Sequence, residues 1–410
     1  MDHAAATPVD ARVIDTMNAY SEVNYGNPSA LHKEGVSARA AVEGARKNIA
    51  DILGAQPDEI IFVGSATESI ALGLVGTVRA WRKAHPDQTP HIIVSAIEHD
   101  AVLETARVLE AQDVHVSIIP VTEEGIVDCG ELAKAITEET VLVSMMYANN
   151  EIGTIQPIKE IAKIIRKWKK EYRGTVRSEK EKGDARYPLF HTDACQAVNY
   201  CDIRVPTLGV DLLTMNAAKI YGPKGIGLLY CARETPIEPM IVGGGHERGL
   251  RAGTENVLGI MGFAEALSIT RTLSEHESAR LAEIRDALIK KLEVEIPTMV
   301  INGSTTLRLP NNIHFSLPHV DHEFLALLFD ANGIAVATKS ACNEFDAETS
   351  HVLQALRNAS LAPAPVSGIR LSFGRSNTLS DIDLFIQTLK KILPVAYASS
   401  SNVHSSDAML

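Results

Sequence analysis

Lys219 stands in a tight turn, Asn216-Ala217-Ala218-Lys219-Ile220-Tyr221-Gly222-Pro223-Lys224-Gly225, between the apolar runs 210–215 and 226–230. An ammonium at the end of a buried strand loses hydration in a partly dry pocket, gives up its proton more readily and can capture a carbonyl. The bland alternative is a solvated lysine beside a β-turn. Asp193 lies in His191-Thr192-Asp193-Ala194-Cys195-Gln196, directly after the apolar Leu189-Phe190. Strand alternation puts His191, Asp193 and Cys195 on one face, as metal ligands would be, but no second ligand pair with zinc-like spacing accompanies them. Asp193 is therefore read as a carboxylate that needs a cationic or N–H partner.

Other chemistry-bearing residues share the same kind of address. Strand-like 60–63 runs into Gly64-Ser65-Ala66-Thr67-Glu68-Ser69, where small residues and a helix N-terminus suit an anion, although Ser followed by Glu is also an ordinary helix cap. His99 follows 92–94, and Asn149-Asn150-Glu151 follows 141–146. Polar clusters at the ends of successive strands favour one shared site. His319, Asp321, His322 and Glu323 look metal-like, but a cap for the helix that follows is the better reading. Cys342 stands in a polar segment with Lys339, where an exposed thiolate could react. Arg370 alternates with apolar residues, as buried arginines that hold carboxylates do.

The elements that must position these groups alternate. Apolar strand-like runs at 60–63, 92–94, 141–143, 211–215 and 226–230 are separated by helix-period segments such as 101–110 and 158–168. That order predicts a mostly parallel sheet with helices on both faces and ligands at the strands' carboxyl ends. A long helical stretch, 261–292, opens a second, smaller α+β domain. The expected division is 10–260 for the large domain and 1–9 with 261–396 for the small one, and the Ser-rich 397–410 reads as a disordered tail.

The 410 residues are 45% hydrophobic, enough for a sizeable core, and the net charge of −12 argues against direct nucleic-acid binding. No apolar run reaches membrane-spanning length. The beginning, Met1-Asp2-His3-Ala4, lacks a signal peptide's basic and apolar regions, and the five cysteines are dispersed. Both features point to a reducing, cytoplasmic setting. Residues 163–186 hold ten Lys/Arg against four acids, a solvated face or a docking patch for an acidic partner.

Taken together, these motifs make the chain resemble the cysteine desulfurases, over about residues 2–395. The resemblance is carried by Asp2-x-Ala4-Ala5-x-Thr7-Pro8, Tyr25-Gly26-Asn27-Pro28-Ser29, Ala66-Thr67-Glu68-Ser69, Glu98-His99 and Asn149-Asn150-Glu151-Ile152-Gly153. It continues in Asp193-x-x-Gln196, the Lys219 turn, Gly244-Gly245-His246-Glu247-Arg248-Gly249, Ser340-Ala341-Cys342, Ser350-His351-Val352-Leu353 and the Arg370 strand. It implies the pyridoxal-phosphate-dependent transferase fold type I, and a cofactor, pyridoxal 5'-phosphate, held covalently by Lys219. His99 would stack on its ring, Asp193 would pair with the ring nitrogen, and Asn150 and Gln196 would bond near the phenolic oxygen. Ala66, Thr67 and Asn216 would hold the phosphate, with Thr254 of a second subunit of a homodimer. Arg370, Asn150 and Asn27 would bind L-cysteine, and Cys342 would take its sulfur as a persulfide. The sulfur acceptor would be a protein such as an iron–sulfur scaffold or a tRNA-thiolation protein, and no metal is implied. The family pattern is Ser-x-His-Lys at the lysine, so Ala218 removes one phosphate donor. Lys339, Asn343-Glu344 and the basic insertion at 173–187 also depart from it. A selenocysteine lyase-like enzyme and a catalytically weakened assembly partner are the competing readings.

Overall fold

The computed structural model describes residues 1–23, 25–175, 186–338, 350–360 and 367–406. Seven strands form the larger sheet: β1 (Ile60–Val63), β2 (His91–Ser95), β3 (His115–Ile119), β4 (Thr140–Ser144), β5 (Leu189–Asp193), β6 (Leu212–Asn216) and β7 (Gly227–Cys231). Their order is β1-β7-β6-β5-β4-β2-β3, and β7 runs antiparallel to both neighbours while β3, β2, β4, β5 and β6 pair in parallel. The parallel strands are buried along their whole length except at the edge. β2, β4 and β5 are buried at every position, whereas β3 carries exposed residues. Continuous apolar runs are what a sheet covered on both faces requires. Separate apolar clusters fill the two faces, one around Ile93, Val143 and Phe190, the other around Ile92, Leu142 and Leu189.

A smaller antiparallel sheet joins β8 (Val300–Ile301), β9 (Asn312–Ser316) and β10 (Ile369–Ser372) in the order β10-β9-β8. Its core gathers Phe315, Phe329 and Phe385, with Phe329 and Phe385 stacked at 4.9 Å. The helix Val257–Glu295 is continuous across both cores. Ile260, Phe263 and Leu267 pack in the first, and Leu281, Leu288 and Leu292 in the second. The boundary expected at residue 260 thus falls inside one helix.

The C-terminal helix runs Ser380–Ser406, so the disordered tail expected from residue 397 is corrected to helix as far as Ser406. Ile382, Phe385, Leu389, Ile392 and Ala396 bury one face of it against the second core, and that packing carries the helix into the Ser-rich stretch. Among the described residues, no helix is long and apolar enough to cross a membrane.

Candidate active site

Parallel strands bring their carboxyl ends to one side of a sheet, and here that side opens into a cavity of about 160 Å3. Asp193 is the last residue of β5 and Asn216 the last of β6. Lys219 closes the 3₁₀ turn that follows β6, while His99 and Asn150 sit in the connections after β2 and β4. All five line the cavity, together with Ala66, Thr67, Gln196 and Arg370. The shared address read from the sequence is thus one place.

The lysine turn is held from outside. Asn216 Oδ1 accepts the Ala218 amide at 3.0 Å, and the Thr7 amide and hydroxyl donate to the Ala218 carbonyl at 3.0 and 3.1 Å. The Tyr221 amide donates to Thr7 Oγ1 at 2.7 Å, and Asn199 Nδ2 donates to the Lys219 carbonyl at 2.8 Å. Lys219 Nζ donates to the carbonyls of Ala4 and Ala5 at 2.9 and 2.5 Å. The amine is therefore aimed by the chain's first residues.

Opposite charge and donors line the same cavity. The Asp193 carboxylate is buried and accepts the Cys195 amide at 2.9 Å. Gln196 Nε2 donates to the Ala4 carbonyl at 3.0 Å. His99 caps the helix Asp100–Glu110, its Nδ1 accepting the Ala101 amide at 3.0 Å, which leaves the proton of the neutral ring on Nε2. The helix Ala66–Ala84 begins at the cavity, with Ser65 Oγ accepting the Glu68 amide at 3.1 Å. Its first-turn residues Ala66 and Thr67 bring N–H groups and the positive dipole end to the cavity. A ligand with an aldehyde, a basic ring nitrogen and a phosphate would meet a complementary group for each.

Arg370 is 1% exposed at the far side. Its Nη1 donates to the Asn150 carbonyl at 3.1 Å and its Nη2 to Asp2 Oδ1 at 2.8 Å, while the buried Nε has no hydrogen-bond partner. The neighbouring segment enters from Ala337, paired with Arg370 across β10, and leaves at Ser350, whose hydroxyl donates to buried Glu151 at 2.6 Å. Cys342 lies between these anchors, outside the described residues.

Behind His99, Glu98 is fully buried, and burial pushes its carboxyl up to about 8, with Asp193 adding to the effect. Its Oε1 accepts Ser95 Oγ at 2.6 Å and the Met146 amide at 2.8 Å. The four described cysteines are all held as thiols. Burial raises Cys195 well above the ordinary thiol range, Cys201 to about 12, Cys231 to about 11, and Cys129 upward. None is poised to be a thiolate nucleophile.

Two expected site residues lie elsewhere. Asn27 is exposed, accepts the Ser29 amide at 2.9 Å and does not line the cavity, so within one chain its place as a substrate ligand is not met. Its side chain is committed to a local turn. Thr254 is exposed and also absent from its own chain's cavity. The metal-like clusters resolve as structure. His191 bridges Ser144 and Thr214 at 2.8 and 3.0 Å, and Asp321 caps the helix His322–Asp330. Among the described residues, no group of acids, histidines and cysteines is arranged to hold a metal. The residues that sequence reasoning left without a role are Asp2 and the carbonyls of Ala4 and Ala5. Their motif was visible, but its contacts are more than 200 positions away.

The chain matches the aminotransferase class-V family model over residues 1–385. It is 41% identical to the cysteine desulfurase IscS of Dictyoglomus turgidum, covering 96% of this chain and 94% of that protein. A solved NifS-like protein shares the fold with a TM-score of 0.84 and 35% identity, over 96% of this chain and 98% of that one. A solved SspA in complex with cysteine superposes with a TM-score of 0.72 at 31% identity, over 91% and 97% of the two chains. The architecture is that of the pyridoxal-phosphate-dependent transferases of fold type I. The chain belongs to the aminotransferase class-V family and, within it, to the cysteine desulfurases.

Proposed function

We propose that the protein is an L-cysteine desulfurase that transfers the sulfur of L-cysteine to Cys342 and releases L-alanine. Its family depends on pyridoxal phosphate, and the residues of this chain fit that group. The observation that carries the reading is the convergence of Lys219, Asp193, His99 and Arg370 on one cavity. Bound there, the cofactor would supply an electron sink for the pair left when the substrate Cα loses its proton.

The chain's own groups would do the rest. Lys219 Nζ would hold the cofactor covalently, be released by the substrate amine, and then move the proton at the substrate Cα. The Asp193 carboxylate would keep the ring nitrogen protonated, with His99 against the ring and Asn150 and Gln196 at its phenolic side. Ala66, Thr67 and Asn216 would bind the phosphate, with Asn216 Nδ2 as the donor because its Oδ1 caps the turn. Arg370 would bind the substrate carboxylate. The Cys342 thiolate would attack the substrate sulfur, forming an S–S bond as the C–S bond breaks, and the electron pair and a proton would complete the methyl of alanine. Burial holds the other described cysteines as thiols, which supports Cys342 as the nucleophile.

A homodimer accounts for Thr254, which would reach the partner's phosphate. Support comes from Tyr25, Leu31 and Val242, apolar residues 76%, 89% and 82% exposed in the single chain. The persulfide would pass to a protein acceptor in the cytoplasm, such as an iron–sulfur scaffold or a tRNA-thiolation protein. Incubation of cofactor-loaded protein with L-cysteine is expected to give alanine and, with a thiol reductant, an equal amount of sulfide. Absence of alanine from a loaded sample would sink the reading.

A further inference from the structure

Arginine presents five N–H donors, and a carboxylate docks best on an edge where two of them point the same way. Nε and Nη2 of Arg370 form such an edge, but the edge is already half taken. Asp2 Oδ1 accepts from Nη2 at 2.8 Å, while Nε is buried without a partner in a residue that lines the cavity. Asp2 is fixed there by backbone pairing rather than by its side chain. The Ser372 amide donates to the Met1 carbonyl at 2.8 Å, the His3 amide to the Ser372 carbonyl at 3.1 Å, and the Ala4 amide to Ser372 Oγ at 2.8 Å. Ser372 and Arg370 lie on the same strand, β10, so the ion pair is set by register.

We propose that Asp2 is an internal counter-ion for Arg370 that holds part of the carboxylate-binding edge in the resting protein and thereby restricts which anions the site accepts. The proposal rests on Arg370 being the substrate's carboxylate ligand. A buried guanidinium with no counter-ion would bind any small carboxylate that entered. With Asp2 in place, the Nε–Nη2 edge is no longer free for a two-point contact, and an incoming carboxylate meets a like charge beside it. A simple anion gains too little from the part of the edge that is left. An α-amino acid also has its amine, which the Lys219 end of the cavity captures, so it alone collects both contributions. Asp2 acts through Arg370 and is a positioning residue for specificity.

The test compares the cofactor-loaded wild type with Asp2→Asn and Asp2→Glu. Asparagine keeps an oxygen for Nη2 and removes the charge. The expected result is that L-alanine and acetate bind Asp2→Asn more tightly by roughly 5- to 50-fold, read by titrating the cofactor's absorbance and by acetate inhibition. KM for L-cysteine should fall with it, while turnover of cysteamine, which has no carboxylate, stays at the wild-type level. Asp2→Glu should restore the exclusion of acetate. Unchanged or weaker binding of L-alanine by a fully loaded Asp2→Asn protein would overturn the proposal. So would strong acetate inhibition of the wild type, which needs no variant to fold. If the wild type handles cysteamine and L-cysteine alike, the role of Arg370 itself fails, and the proposal falls with it.

Discussion

Glu98 offers a prediction whose size follows from its surroundings. Burial raises its carboxyl from 4.5 to about 8, with Asp193 acting in the same direction and Ser95, Met146 and His99 opposing it. In the folded protein Glu98 therefore keeps its proton up to about pH 8, while in the unfolded chain it ionises above 4.5. A proton held by the native state and released by the unfolded one means that stability is fully present below pH 4.5 and is lost as pH rises toward 8. The loss is about 1.4 kcal/mol per pH unit, or about 5 kcal/mol over the whole window. Glu98→Gln removes the titration and keeps an oxygen for Ser95 and Met146. For a 410-residue chain, the melting temperature of the variant should gain on the wild type by roughly 1–2 °C per pH unit. Scanning calorimetry of both proteins at matched cofactor content from pH 5.5 to 8.5 reads this directly. The gap should widen to about pH 8 and then level off. A gap that stays constant across the range would mean that Glu98 is ionised in the folded protein, and the reasoning from its burial would be wrong.

Three further outcomes follow from named contacts. Asp193→Asn keeps an acceptor for the Cys195 amide but removes the anion, and should lower kcat about 10²-fold or more with the fold intact; near-normal turnover would remove Asp193 from the ring nitrogen. Ala218→His should restore a phosphate donor and tighten cofactor binding by about tenfold or more, measured as the cofactor retained on dialysis. Equal retention would show that the phosphate is already fully satisfied. Glu247 pairs with buried Arg46 through two contacts of 2.7 and 2.8 Å, so Glu247→Ala should cost about 3–5 kcal/mol of stability. A melting point unchanged from the wild type would contradict that.

Where the chain's chemistry is local, it was legible. The strands ending at Asp193 and Asn216 and the turn bearing Lys219 lie within a residue or so of the apolar runs that announce them. Each of those strands opens on two buried apolar residues, and its polar residues come toward the carboxyl end. β3 escaped because it lies at the sheet edge, with exposed residues interrupting its apolar run. The boundary placed at residue 260 falls inside one helix, and the last helix runs past 397, for a related reason. Composition shifts there, but two long helices carry on because their apolar faces find cores to pack against. Asp2 was visible as part of a motif yet had no role, since its partner Arg370 is 368 positions away and strand register alone brings them together. Asn27 shows the converse: a motif residue whose side chain turns into its own loop and does not line its own chain's cavity.

The central claim is that sulfur leaves L-cysteine for Cys342. Mass spectrometry of the cofactor-loaded protein after one turnover with L-cysteine, without reductant, tests it most directly. The account predicts one added sulfur atom on the peptide that contains Cys342, one alanine released per sulfur bound, and neither the adduct nor multiple turnover in Cys342→Ser. Alanine released with Cys342 unmodified, or undiminished turnover in Cys342→Ser, would contradict it.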